Sequence, residues 1–221
     1  MRSYSFGRFT LAGMRIENIV SLPEMSNRAF RHDVQSTLER IGSVHVVSDL
    51  PRLRITFTDS DQYGGYTPET DEAERRLELS VRSVTPRLTT AHEIGHFLDD
   101  ALGDFVVFSS METRSPISRI IHTARQSRAI GQMEEFRRQS EGVINPTRFQ
   151  VLNRLEAVEI WARSYAQYIA LRSGDKQMMR EVEYRRRIET DVRRNEQWEW
   201  DDFAAIAMAI DAEFGDLGWR Q

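Results

Sequence analysis

Cysteine is absent from the 221 residues, which excludes disulfides, thiolate nucleophiles, Cys-ligated zinc and iron–sulfur clusters. Lysine is nearly absent too: Lys176 stands alone beside 29 arginines, a bias that genome composition explains as readily as a need for guanidinium chemistry. Long apolar runs are missing, both as membrane spans and as the core of a secretory signal in the opening MRSYSFGRFTLAGMRIENIV. The expectation is therefore no membrane partner and synthesis in the cytoplasm, with a virion or a dedicated secretion route left open. Charge of one sign is not in excess. A formal net charge of -4 and a pI near 5.8 give no electrostatic case for nucleic acid as a partner. Histidine is scarce, with five in all, so a metal site has to combine a few of them with Asp and Glu.

The length fits one domain with a sizeable core, and no repeat or low-complexity tract interrupts it. Residues 27–41 pattern as an amphipathic helix, with Ser26 as its cap and Gly42 past its end. Short β-type runs follow at 43–47 and 53–58. A Gly64-Gly65 loop over 59–75 then leads to a third run, 76–81, in which Leu77, Leu79 and Val81 alternate with polar residues. From Thr89 the pattern turns helical: 89–102, a helix near 117–130, a long one over 147–173 closed by Gly174, a charged one over 176–194, and 199–214. Strands first and helices after predict an α+β fold. Residues 1–42 are an N-terminal segment with one helix, in the same domain or beside it. In 43–221, the span 43–102 carries sheet and motif, 103–146 is an insertion, and 147–221 is the helical half.

His92-Glu93-Ile94-Gly95-His96 matches H-E-x-x-H. Four helical residues turn about 400°, so both imidazoles leave one face of the helix and can share a zinc ion with coordination positions left open. Glu93 flanks that face and is placed to take the proton of a zinc-bound water attacking a carbonyl. Gly95 costs a helix about 1 kcal/mol relative to alanine, which predicts that another backbone or the metal shell comes close there. The longer metzincin motif fails, because Asp99 and Leu102 occupy its glycine and histidine positions. Asp99 lies seven residues beyond His92 on nearly the same face and is a candidate to orient an imidazole, with Asp100 beside it as a capping or supporting group. His32, His45 and His122 lack partners at ligand spacing and are read as structural or surface residues.

HEIGHFLDD at 92–100, followed by EIWARSYAQY at 159–168, resembles the gluzincin pattern, in particular the lethal-factor-like branch and the zincin peptidases of phages and prophages. The matching residues are His92, Glu93, Gly95, His96, Asp99 and Asp100, then Glu159, Trp161, Ala162, Ser164 and Tyr165. The resemblance spans roughly 60–172. It implies a zincin-like fold, a small twisted mixed sheet above the helix that bears the motif, with Zn2+ held by His92, His96 and a downstream glutamate. It further implies an endopeptidase for a protein or peptide substrate, with 76–81 as the edge strand that pairs with extended substrate, Leu79 included. That branch carries a tyrosine seven residues before the ligand glutamate. Leu152 stands there in this chain, which leaves Tyr165, Tyr168 and Arg154 as candidates to stabilise the oxyanion.

Two glutamates compete for the ligand position. Leu152, Leu155, Glu159, Ala162, Ala166 and Ile169 trace one helical face on which only Glu159 is charged, so burial of that face demands a cation beside it. Glu156 lies off this face, within reach of solvent or Arg163. Residues 103–146 are expected to form a lid or cleft wall. Two other functions fit the sequence: a catalytically weak zincin serving as a structural or binding module, as in a phage particle, and a signal-responsive peptidase that cleaves a repressor.

Overall fold

The computed structural model describes residues 14–47, 50–68, 74–103, 108–144, 146–188 and 197–220. A short 3-10 turn and the two-residue strand β1 (Val20–Ser21) lead into helix α1 (Arg28–Val44). Strands β2 (Leu53–Thr58), β3 (Gly64–Thr67) and β4 (Arg76–Ser80) precede α2 (Pro86–Ala101). Helices α3 (Pro116–Arg125), α4 (Arg128–Gln139), α5 (Pro146–Leu155), α6 (Ala157–Ser173), α7 (Lys176–Ile188) and α8 (Trp200–Asp216) follow. The fold is α+β, as the order of patterns predicts.

The four strands form one mixed sheet in the order β1-β2-β4-β3, with β1, β2 and β4 parallel and β3 antiparallel to β4. This overturns the expectation that 76–81 is an edge. β4 is paired on both sides, Leu77 and Leu79 are buried, and Leu79 faces Gly64 across the ladder. The edges are β1 and β3, and β3 does not read as a strand in the sequence because two glycines and no apolar alternation mark it.

Several boundaries shift for local reasons. Asn27, not Ser26, caps α1 by accepting from the Phe30 amide, and the helix runs through Gly42, against which the Glu17 carboxylate packs. His45 and Val47 make only isolated bridges, so 43–47 is not a strand. α2 begins earlier than Thr89 because Pro86 takes the first helical position, where no amide is needed. The long helix breaks at Glu156, whose extended backbone separates α5 from α6. Within 103–146, the described residues hold α3 and α4, whose Ile117, Ile120, Ile130 and Met133 are buried in the core, so these two helices are packed structure and not a lid. Asn145 and the expected end of the charged helix, 189–194, lie outside the described residues.

A continuous core joins Phe30, Val34 and Ile41 of α1 to Ile94 and Phe97 of α2, Trp161 and Ile169 of α6, and Phe214 of α8. Within it His45 is buried, stacked on Trp219 and hydrogen-bonded through Nε2 to the Tyr165 hydroxyl at 2.8 Å. Burial pushes its pKa down from 6.5 to about 4, with the Val46 carbonyl opposing. A His depressed on folding contributes stability that is present above pH 6.5 and lost as pH falls through 4. The loss amounts to about 3 kcal/mol. His45→Gln should show a flatter decline in unfolding free energy between pH 7 and 4 than the wild-type chain, both in chelator. Parallel curves would refute this assignment. Among the described residues no helix is long and apolar enough to cross a membrane.

Candidate metal centre

The site is built where α2 crosses α6. A Cβ on Gly95 would stand 3.0 Å from the Ala162 Cα and 3.3 Å from the Tyr165 ring, so the bare backbone lets the two helices touch. Trp161 locks the crossing by donating its indole N–H to the Gly95 carbonyl at 2.7 Å. The start of α2 is held from α7: Glu181 accepts from the Leu88 amide at 2.7 Å, and Arg185 donates to the Thr85 hydroxyl at 2.8 and 3.0 Å. Thr89 and Thr90 do not cap the helix. Their hydroxyls bond Ser83 and the Pro86 carbonyl instead.

Gly95→Ala offers a direct test of the crossing. Alanine gains about 1 kcal/mol of helix propensity. Against that, its methyl meets backbone that cannot yield cheaply, and overpacking of this kind costs roughly 1–3 kcal/mol. Denaturant unfolding should therefore find Gly95→Ala less stable than wild type, and a more stable variant would show that the helices are free to part.

This crossing brings three ligand atoms together. His92 Nε2 and His96 Nε2 are 3.1 Å apart, and the Glu159 carboxylate lies 3.6 Å from the first and 3.5 Å from the second. These are the described residues whose donors could hold a metal ion. Burial and the neighbouring His96 hold His92 well below the usual histidine range, at about 3. Burial works against charge on His96 as well, but the Glu159 hydrogen bond and the charges of Glu93, Glu159 and Asp99 raise it. Burial likewise disfavours the Glu159 anion, yet the His96 bond and the nearby His92, His96 and Arg163 keep its pKa well below normal.

Glu93 is buried on the adjoining face of α2. Burial, reinforced by the Glu159 charge and opposed by His96, pushes its pKa up to about 7. Gly64 of the edge strand lies directly over it: a Cβ there would come within 2.7 Å of Glu93 Oε1 and 2.9 Å of Thr89 Cγ2. His92, Glu93 and Glu159 open into a cleft of about 280 Å³. Tyr63 and Gly64 form its strand side, while Asn153 and Arg154 of α5, Arg163 of α6 and Arg185 of α7 line the rest. Arg185 also covers the Tyr63 ring at 4.6 Å.

Other expected site residues have different places. Asp99 is buried, but its Oδ1 accepts from the Ser110 amide at 2.6 Å and its Oδ2 has no hydrogen-bond partner among the described residues, so it bonds neither imidazole. Asp100 accepts from Tyr66 and Arg75, fastening the sheet to the end of α2. Tyr165 is in the core with its hydroxyl on His45, and Tyr168 bonds Asp211, so neither faces the cleft. Of the three oxyanion candidates only Arg154 lines it. Leu79 is sealed inside the sheet. Glu156 is exposed at the helix break, and Arg163 turns from it to the Glu159 and Arg154 carbonyls. His32 and His122 are on the surface.

The reading of the residues missed the place of Gly64, Arg163, Arg185 and Glu181. The Gly64-Gly65 pair was the available signal for the first, since glycine in a strand marks a close backbone approach. The other three act across the tertiary structure, and nothing local announces them. The chain matches no family model, no curated protein and no solved structure with which it was compared.

Proposed function

We propose that the chain is a zinc-dependent endopeptidase in which His92, His96 and Glu159 hold the metal and Glu93 is the catalytic base. The observation that carries this reading is the convergence of two imidazoles and one carboxylate, 3.1–3.6 Å apart, beside a buried glutamate in an open cleft. The set fits zinc. Three donors at ordinary Zn–N and Zn–O distances on a tetrahedron stand about 3.3 Å from one another. Zinc, when bound, supplies Lewis acidity that polarises the scissile carbonyl and makes water a better nucleophile.

The chain's own residues do the remaining work. Glu93, with a pKa near 7, accepts the proton of the attacking water as the new C–O bond forms, and returns it to the amine as the C–N bond breaks. The side of β3 that no strand pairs among the described residues offers backbone donors and acceptors to an extended peptide, and Gly64 lets that strand lie against Glu93. Arg154, the one oxyanion candidate that lines the cleft, is the donor assigned here to meet the developing oxyanion. A module that only binds or scaffolds has no use for a destabilised buried carboxylate at this point.

The test is incubation of metal-free and zinc-reconstituted protein with an unfolded polypeptide, counting new amino termini. Cleavage should require zinc. Equal cleavage by both forms, or none by either across a diverse peptide set, would count against a zinc peptidase.

A further inference from the structure

We propose that Arg163 is a positioning residue for Glu159: its guanidinium bridges the break between α5 and α6 and so sets the carboxylate opposite the two histidines. This rests on the metallopeptidase reading above. Glu159 lies in the first turn of α6, and that turn is weakly made. The residue ahead of it, Glu156, gives the helix no side-chain cap. First turns without caps leave amide groups unsatisfied and fray. A metal ligand carried there is not fixed by any cap of its own helix.

Arg163 supplies the fixing. It stands one turn beyond Glu159 and is only 4% exposed. Its Nε donates to the Glu159 carbonyl at 3.2 Å, and its Nη2 donates to the Arg154 carbonyl at 2.5 Å, at the end of α5. The guanidinium lies 5.1 Å from the centre of the Trp198 ring. Trp198 is itself pinned: its main-chain N–H donates to, and its carbonyl accepts from, the Gln167 side-chain amide, each at 2.9 Å, and its indole N–H donates to Ser127 at 2.9 Å. One side chain thus ties the last turn of α5, the first turn of α6 and a fixed core aromatic. Because α5 also brings Asn153 and Arg154 to the cleft, the same tie sets the cleft wall. A planar fork is needed for this; a lysine ammonium cannot reach both carbonyls and stack as well. A buried cation this close to a metal centre is electrostatically unfavourable for binding a dication, and its bonds to the two carbonyls offset that cost.

The experiment measures zinc affinity by competition with a chromogenic chelator for the wild-type chain, Arg163→Lys, Arg163→Gln, Glu159→Ala and the double variant Arg163→Gln/Glu159→Ala. Each is first confirmed as folded by thermal unfolding in chelator. Both Arg163 variants should lose roughly 10- to 100-fold in affinity, as losses of supporting groups around metal ligands do. In the Glu159→Ala background the Arg163 change should cost nothing further, because no carboxylate remains to be positioned. Unchanged affinity overturns the proposal. A gain overturns it too, since the metal would then be sensing the charge of Arg163 and not its bonds. An equal loss with and without Glu159 means general disruption and also overturns it. Amide exchange on the metal-free chain separates this inference from the peptidase reading: Arg163→Gln should speed exchange at Ile160, whose N–H closes the first turn on Glu156, whether or not zinc binds. Unaltered exchange there refutes the tie itself.

Discussion

Replacing Glu93 by glutamine should leave zinc binding near stoichiometric while cutting peptide hydrolysis roughly a hundred- to ten-thousand-fold. The two effects separate because Glu93 is not one of the converging donors. His92, His96 and Glu159 form that set, while Glu93 occupies the neighbouring face of α2 under Gly64. Glutamine keeps the size and one carbonyl oxygen but cannot take a proton. A second consequence concerns stability. Folding raises the Glu93 pKa from 4.5 to about 7 through burial. A raised carboxyl group favours the folded chain below pH 4.5, and that advantage is lost as pH rises through 7. The swing is about 3 kcal/mol at most. Metal-free Glu93→Gln should therefore be more stable than wild type at pH 8, with the gap closing toward pH 4. Turnover by Glu93→Gln within threefold of wild type would remove Glu93 from the mechanism. Loss of zinc along with activity would mean that the side chain supports the metal and does not act on water.

The opposed consequences expected of that one substitution would mark Glu93 as a proton-transfer group. A carboxylate kept buried at a cost to stability, beside a cluster of donors, is what proton transfer near neutral pH requires. The same reasoning separates Glu93 from Glu181, which is also buried and also raised to about 7 but is occupied in holding the Leu88 amide at the start of α2. The first opens into the cleft and the second does not touch it. Perturbed acidity points to function only where the geometry leaves the group something to act on.

What the sequence revealed follows the range of the interactions involved. His92, Glu93 and His96 are set by helical spacing within five residues, and Gly95 announced a close helix crossing that Ala162 completes. The α+β order and strands β2 and β4 were likewise visible as local patterns. The position of β4 in the sheet was not, because pairing is a long-range property and alternation says only that one face is buried. Leu77 and Leu79 are buried as expected, and Arg76 and Glu78 are exposed and half-covered because they point to the opposite face of a strand flanked by β2 and β3, not because the strand is an edge. The Asp99 expectation rested on helical phase, which puts the carboxylate near the histidine face but does not reveal that the Ser110 amide, eleven residues on, claims it first. Tyr165 matched a motif and still proved to be a core residue, since its hydroxyl is taken by His45, whose partner lies 120 positions away in the chain.

Substituting Glu159 by alanine should weaken zinc binding strongly, while Glu156→Ala should leave it nearly unchanged. The sequence argument for Glu159 used the phase of one uninterrupted helix, yet the helix is interrupted at Glu156 itself. The selection survives for a reason the break makes clearer. Glu156 has extended backbone and is exposed between α5 and α6, so its side chain is not carried on the face that meets α2. Glu159 lies three residues into α6, where the helix has already packed Ala162 against Gly95, and its carboxylate points between His92 and His96. Without a metal it is held by those imidazoles and by the charge of Arg163. Removing it leaves two histidine ligands and an empty space, and affinity should fall by more than the roughly tenfold to hundredfold typical of supporting residues. The metal-free fold should also lose stability at neutral pH, because the histidines and Arg163 hold the carboxylate's pKa well below normal and that advantage goes with it. Competition titration with a chelator on both variants decides the matter. Zinc bound as tightly by Glu159→Ala as by wild type, or lost by Glu156→Ala, would show that the metal takes its third ligand from elsewhere and that the α2–α6 crossing does not build the site.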